Sequence, residues 1–286
     1  MALMAACGVL VVAALALAVW WRHVEFAVTP GPPPEGAARD RAGHAVCSTL
    51  RHVVISILGG VVSGLLFLGP VARLAMRLLA ATAGDSAQGR VTEAQEVVGA
   101  ITVDGTIGLV LFIGLGFGLV SSIVYAVARP FLPAGPVGGA VLGVALLVVA
   151  GPTLDPIRAD NPDFGIVGPG WLALLVFLTM AVTQGVLLAV VHARLSHVVP
   201  LVSRRRPKSA LWLLSLVLLI PTVLGPLLLL VLLGLVAAFA AWRPTTPPAL
   251  GDRVRLVGRV TAVAVVTVSL PGLVSSVGDI LRASPN

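Results

Sequence analysis

Long apolar runs alternate along this chain with short stretches that hold nearly all of its charge. Apolar positions are almost continuous over Met1 to Trp21, Val53 to about Arg73, Thr106 to Ala128, Val137 to Gly151, Trp171 to His192, and Val260 to about Leu281. Most approach the ~20 residues that an α-helix needs to cross a hydrocarbon core. A further run, Ala210 to Trp242, would measure about 50 Å as one helix and overshoot such a core. Pro221 and Pro226, flanking Thr-Val-Leu-Gly, are placed to break it. The pattern predicts an all-α membrane protein, a polytopic helical bundle of about eight transmembrane segments, or seven if 210–242 is a single kinked helix.

Composition supports this and removes the soluble classes. Hydrophobic residues make up 58% and charged residues 11% of the 286 positions, against roughly 25% charged in a soluble domain. A water-soluble fold could not cover that much apolar surface, so residues 1–286 read as a single membrane domain. The net charge of +7 is no sign of nucleic acid, because the cations sit in short loops beside apolar runs. Cys7 and Cys47 lie far apart and form no framework of disulfides. The first run lacks a basic segment ahead of it, so it reads as a retained span and not as a cleaved leader.

Charge placement then orients the bundle. The loops after the first, third and fifth spans hold Arg22, Arg39, Arg41, Arg51, Arg129, Arg194, Arg204, Arg205, Arg206 and Lys208. The opposing segments hold only Arg73, Arg77, Arg90 and Arg158, so the arginine-rich side is expected in the cytoplasm and the N-terminus outside. Arg243, Arg253, Arg255 and Arg259 make the next loop cytoplasmic too, which requires the chain to return at the Pro221 to Pro226 break. The tryptophans, Trp20, Trp21, Trp171, Trp212 and Trp242, fall near predicted span ends, where indoles prefer the interface.

The stretches between spans differ in character. Residues 22–52 form a Pro-rich cytoplasmic linker, extended over Val28 to Gly43, and 193–209 a basic cytoplasmic loop. Residues 243–259 are a second basic, Pro-containing loop, while 74–105 and 153–170 are the outer segments. Within the spans, small residues recur four apart: Gly60 and Gly64, Gly114 and Gly118, Gly139 and Gly143, Ala181 and Gly185. Such flat faces let helix backbones approach closely, and they predict a tight bundle of the second to fifth spans, with a homo-oligomer seam as the alternative use. Gln184 is the one amide inside the fifth span and reads as interhelical glue.

Candidate chemistry gathers on the outer segments. Asp85, Glu93, Glu96, Asp104, Asp155, Asp160 and Asp163 all fall there, with Arg73, Arg77, Arg90 and Arg158. Arg73 and Arg77 are four apart just past Pro70 and share one helix face. Thr92 and Gln95 resemble a capping box that would start a short helix carrying Glu93 and Glu96. A ligand site built from Arg73, Arg77, Glu93, Glu96, Asp104, Asp155 and Arg158 would hold an anionic headgroup, a peptide terminus or a small solute. The bland alternative has both arginines snorkelling to lipid phosphate, and a third has Arg73 or Arg77 paired with Glu93 or Glu96 to pin the outer loop.

No catalytic, cofactor or metal motif stands beside this site. His192 and His197 are not in HExxH register and read as interfacial side chains, and the carboxylates of 153–170 lack EF-hand spacing. Gly114-x-Gly116-x-Gly118 lies inside an apolar run, so it is packing glycine. Arg204-Arg205-Arg206-Pro207-Lys208 fits a topogenic or anionic-lipid role.

Two segments, Gly69-Pro-Val-Ala-Arg-Leu-Ala-Met-Arg-Leu-Leu with Gly84-Asp-Ser-Ala-Gln-Gly89, and Asp160-Asn-Pro-Asp-Phe-Gly-Ile-Val-Gly-Pro-Gly-Trp171, resemble uncharacterised multi-pass membrane proteins of high-GC actinobacteria. The resemblance implies a bacterial cytoplasmic membrane and brings no activity or residue role with it. The expected function is a non-enzymatic integral membrane protein whose outer charged lid contacts an envelope ligand or protein partner, with the lipid bilayer as its surroundings. A small-solute transporter is the second reading and a membrane-embedded enzyme acting on a lipid or isoprenoid substrate the third.

Overall fold

The computed structural model describes residues 1–21, 38–154, 156–199 and 248–284. Among these the architecture is all-helical. Helix α1 is Ala2–Trp21, and α2 (Ala38–Ser63) continues through a π-helical turn, Gly64–Leu68, into α3 (Gly69–Ala81). Helix α4 (Val103–Leu109) likewise passes through a π stretch, Val110–Phe117, into α5 (Gly118–Ala128). Then come α6 (Pro136–Ala150), α7 (Gly170–Val198) and α8 (Pro248–Ala283).

Five of these rods are long and apolar enough to cross a membrane: Ala2–Trp21, Arg51–Ala81, Val103–Ala128, Gly170–Val198 and Arg253–Ala283. Pro136–Ala150 is a shorter apolar helix. Each coincides with a run read from hydropathy; the 210–242 run lies outside the described residues. Several boundaries differ. Helix α3 continues to Ala81 and does not stop near Arg73, because Arg-Leu-Ala-Met-Arg-Leu-Leu-Ala-Ala are all good helix formers. The expected linker over 22–52 is helical from Ala38, where the prolines give way to alanine and arginine, and the expected loop over 243–259 is helical from Pro248.

The helices alternate in direction. Trp21 at the end of α1 lies under the Arg194 guanidinium, 5.9 Å from its ring centre, near the end of α7. Buried Arg51 in α2 reaches the same end of α7, donating from Nε to Val199 O at 2.9 Å and from Nη2 to Ser196 O. A helix C-terminus leaves carbonyls without partners, and this guanidinium fork satisfies two of them. Gly258 of α8 packs on Phe131 in the α5–α6 connection, while Gly170 at the start of α7 packs on Ile280 and Ser284. Helices α7 and α8 are therefore antiparallel, and α8 starts at the end where α7 finishes.

Glycine crossings hold the centre. A Cβ added at Gly60 would lie 2.7 Å from Leu119 Cα, and one at Gly118 the same distance from Gly64 Cα. Gly139 and Gly143 stand equally close to the backbone of Gly185 and Ala181. The small-residue faces thus meet within one chain, and the backbones approach too closely for any side chain. The π-turn Gly64–Leu68 falls just before Pro70, which has no N–H to donate and whose ring would collide with the Leu66 carbonyl in a regular helix. A wider turn there relieves both problems and keeps the rod continuous.

Candidate functional site

Two connections cap the Arg73 end of the bundle. The first leaves α3 at Ala81, turns at Gly84 (φ 64°) and forms a 3-10 turn, Asp85–Ala87. It then doubles back as a short hairpin, with Gly89 N–H bonded to Val98 O (3.1 Å), Val98 N–H to Arg90 O (2.9 Å) and Thr92 N–H to Glu96 O (2.9 Å). The helix expected at Thr92 is absent. Thr92 Oγ1 accepts from Glu96 N–H at 3.2 Å, and Gln95 takes φ 62°, a left-handed turn that stops any helix. Flanking valines Val91, Val97 and Val98 also favour extended backbone.

The second connection, between α6 and α7, carries a 3-10 turn, Pro162–Gly165, capped by Asn161 Oδ1 accepting from Asp163 N–H at 2.8 Å. It is stitched to the first. Arg158 Nη2 lies 2.6 Å from both Glu93 carboxylate oxygens, Arg158 Nε pairs with Asp160 at 2.8 Å, and Glu93 N–H donates to Asp163 Oδ1 at 2.9 Å. Apolar side chains anchor both from below: Ala87 and Val98 pack with Ala80, and Ile157 and Phe164 with Leu79, Ala173 and Ile280.

Under the hairpin lies a cleft of about 40 Å³ lined by Arg73, Arg77, Thr92 and Glu96, with Met4 and Val167 among its apolar walls. Arg73 is 7% exposed, so it does not snorkel. Its Nε donates to Thr106 Oγ1 at 3.0 Å, and the Thr106 hydroxyl in turn donates to Thr102 O at 2.8 Å. Nη2 of Arg73 is buried without a hydrogen-bond partner. A buried, unpaired N–H on a cation is costly, which makes this atom the most unusual feature of the end. Arg77 is exposed and donates from Nη1 to Gly99 O at 3.1 Å. The Glu96 carboxylate lies over the first turn of α4, 2.6 Å from where a Gly105 Cβ would sit, and so faces the positive end of that helix.

The expected site residues thus fall into groups. Arg73, Arg77 and Glu96 line one cleft. Glu93 and Arg158 form an ion pair between the two connections. Asp104 is exposed in the first turn of α4, where its charge suits the helix end. Asp155 lies outside the described residues. The expected pinning by Arg73 or Arg77 on a carboxylate is replaced by the Arg77 bond to Gly99 O and the Arg158 bond to Glu93. Thr106 and Thr102 were missed; Thr102 caps α4 by accepting from Gly105 N–H at 3.1 Å, and the Thr-x-x-x-Thr spacing at a span start was the available signal. Among the described residues no three of His, Cys, Asp and Glu gather as a metal set.

A second polar group sits deep in the bundle. Gln184 Nε2 donates to Ser63 Oγ at 3.0 Å and more weakly to Ser121 Oγ at 3.5 Å, the interhelical role expected of it. His192 is not interfacial: it is 3% exposed, 2.6 Å from Ser122 Oγ and edge-on to Tyr125. The reason is local. Gly59 opposite has no side chain, and the imidazole occupies the space where its Cβ would be. Ser122 also lies 2.6 Å from Ser56 O, so this cluster is closed by its own hydrogen bonds. The chain matches no family model, no curated protein and no solved structure.

Proposed function

We propose that this chain is a non-enzymatic, multi-pass protein of a bacterial cytoplasmic membrane, N-terminus outside, whose two stitched connections form an outward charged lid that binds an anionic envelope ligand or partner. The observation that carries this reading is Arg73, a buried cation with one Nη2 donor unused, beside Arg77 in the same cleft. An anionic oxygen is the chemistry that such a donor pair takes. The cleft is small, about 40 Å³, against the roughly 150 Å³ that holds a benzene ring. It admits only the tip of a ligand, which favours a headgroup or a chain terminus over a free solute.

The same topology supports eight crossings. Helix α8 begins at the end where α7 finishes, which is what an even number of crossings between them requires. A transporter is the second reading, favoured by Ser63, Ser122, Gln184 and His192 inside the bundle. Their mutual hydrogen bonds and the glycine crossings around them argue for structure over passage.

The test is ligand-induced thermal stabilisation of the purified chain in a zwitterionic detergent, titrated separately with short-chain phosphatidylglycerol, phosphatidylcholine and inorganic phosphate. Phosphatidylglycerol is expected to raise the midpoint, and Arg73→Gln and Arg77→Gln each to weaken that effect by roughly tenfold or more, as loss of a charged hydrogen bond does. Equal response to phosphatidylcholine, or an unchanged response in both variants, would refute the anion site.

A further inference from the structure

We infer that the open cavity between α5, α6 and α7 is a binding site for a hydrocarbon bearing a single hydroxyl, held at its polar end by the Gln184 carboxamide. The cavity has a volume of about 200 Å³ and an almost wholly apolar lining. Its exposed lining residues are Phe117 and Val120, 43% and 50% exposed on the flank of the bundle, and Leu154, where the lining reaches the start of the α6–α7 connection. Phe117, Val120, Phe177 and Met180 of these walls belong to helices long enough to cross a membrane, so on that flank the medium is hydrocarbon and what enters is apolar. Its buried lining includes Gln184, Gly185 and Leu188.

One atom breaks the apolar pattern. Gln184 is 5% exposed and its Nε2 is committed to Ser63, but its Oε1 has no hydrogen-bond partner. An unpaired carbonyl at mid-helix is costly in a medium without water, and it can only accept. The amide torsion of glutamine is broad and Gln184 lines the cavity, so rotation about that torsion is the movement by which Oε1 would meet a ligand there. A ligand that supplies one O–H there satisfies the acceptor, while an alkane of the same shape leaves it empty. Size narrows the class. The ~150 Å³ that holds benzene implies room for roughly seven or eight carbon atoms here, the length of a medium-chain alcohol or the hydroxylated end of a longer lipid. Among the described residues, the lining of the cavity holds no carboxylate and no imidazole.

The site is tested with the full chain in nanodiscs of phosphatidylethanolamine and phosphatidylglycerol, photolabelled with octanol carrying a chain diazirine or with the matched diazirine alkane. The expected result is adducts on cavity residues of α6 and α7 from the alcohol, competed by unlabelled 1-octanol, and about tenfold less labelling by the alkane, the worth of one buried hydrogen bond. Gln184→Leu should abolish the difference between the probes. Leu146→Trp, which fills the cavity and leaves Gln184 in place, should abolish labelling by both. The inference is overturned if the two probes label the wild type equally, if no adduct maps to the cavity, if Gln184→Leu keeps the alcohol preference, or if labelling survives in Leu146→Trp. A long-chain alcohol that competes more strongly than 1-octanol identifies the ligand as a lipid; weaker competition identifies a small diffusible alcohol.

Discussion

Arg73 Nε donates to Thr106 Oγ1 across 3.0 Å, tying a buried cation of α3 to the first turn of α4. Thr106→Val keeps the shape and removes the acceptor, leaving the guanidinium short of a second partner. It should cost about 1–3 kcal/mol, read as a lower thermal midpoint of the purified protein. Thr106→Ser, which keeps the hydroxyl, should lose much less. Equal loss in both variants would show that the methyl group, and not the hydrogen bond, is what matters.

Arg51 caps α7 through the Ser196 and Val199 carbonyls and is 7% exposed. Arg51→Met should destabilise by about 2 kcal/mol, because the helix end loses its donors inside the bundle. Arg51→Lys should fall between, since an ammonium cannot span both carbonyls as a planar fork does. Thermal midpoints of the three proteins check this ordering.

The glycine crossings predict a sharp contrast. Gly139→Val would push a side chain into the Gly185 backbone and should cost about 2 kcal/mol or more by overpacking. Gly116→Ala, in the same kind of apolar helix but with nothing within 4 Å of the new Cβ, should be neutral or slightly stabilising. Yield of folded protein by size exclusion separates the two.

The ion pair Arg158–Glu93 is short, 2.6 Å, but its side chains are 28% and 46% exposed. Its coupling should be below about 1 kcal/mol and fall with salt. A double-mutant cycle with Glu93→Gln and Arg158→Gln measures it; a coupling of several kcal/mol would mean that the two connections shield the pair from solvent far more than their exposure indicates.

Much of the architecture was readable from residues 1–21, 53–73, 106–128, 137–151, 171–192 and 260–281, because in lipid an unbroken apolar run has few structures available besides a helix. The glycine pairs were readable too, since only close backbone approach explains them once they face each other. Ends were not. Arg73 looked like a terminus because a charge is costly in hydrocarbon, and the hydroxyl that receives it, Thr106, sits on another helix that no local pattern connects to it. His192 was misread for the same reason: its place depends on the missing side chain at Gly59. The hairpin at 91–97 defeated the capping-box reading because a single left-handed residue, Gln95, decides between turn and helix.

The outward anion site requires the Arg73 end to face out of the cell, and cysteine labelling measures that directly. Cys7 and Cys47 are replaced by serine, and single cysteines are placed at exposed Ser86, beyond α3, or at exposed Ala134, in the α5–α6 connection at the opposite end. A membrane-impermeant maleimide applied to intact cells should label Ser86→Cys and leave Ala134→Cys unlabelled until the cells are opened. Labelling of Ala134→Cys in intact cells, with Ser86→Cys protected, would contradict the orientation and the outward anion site together.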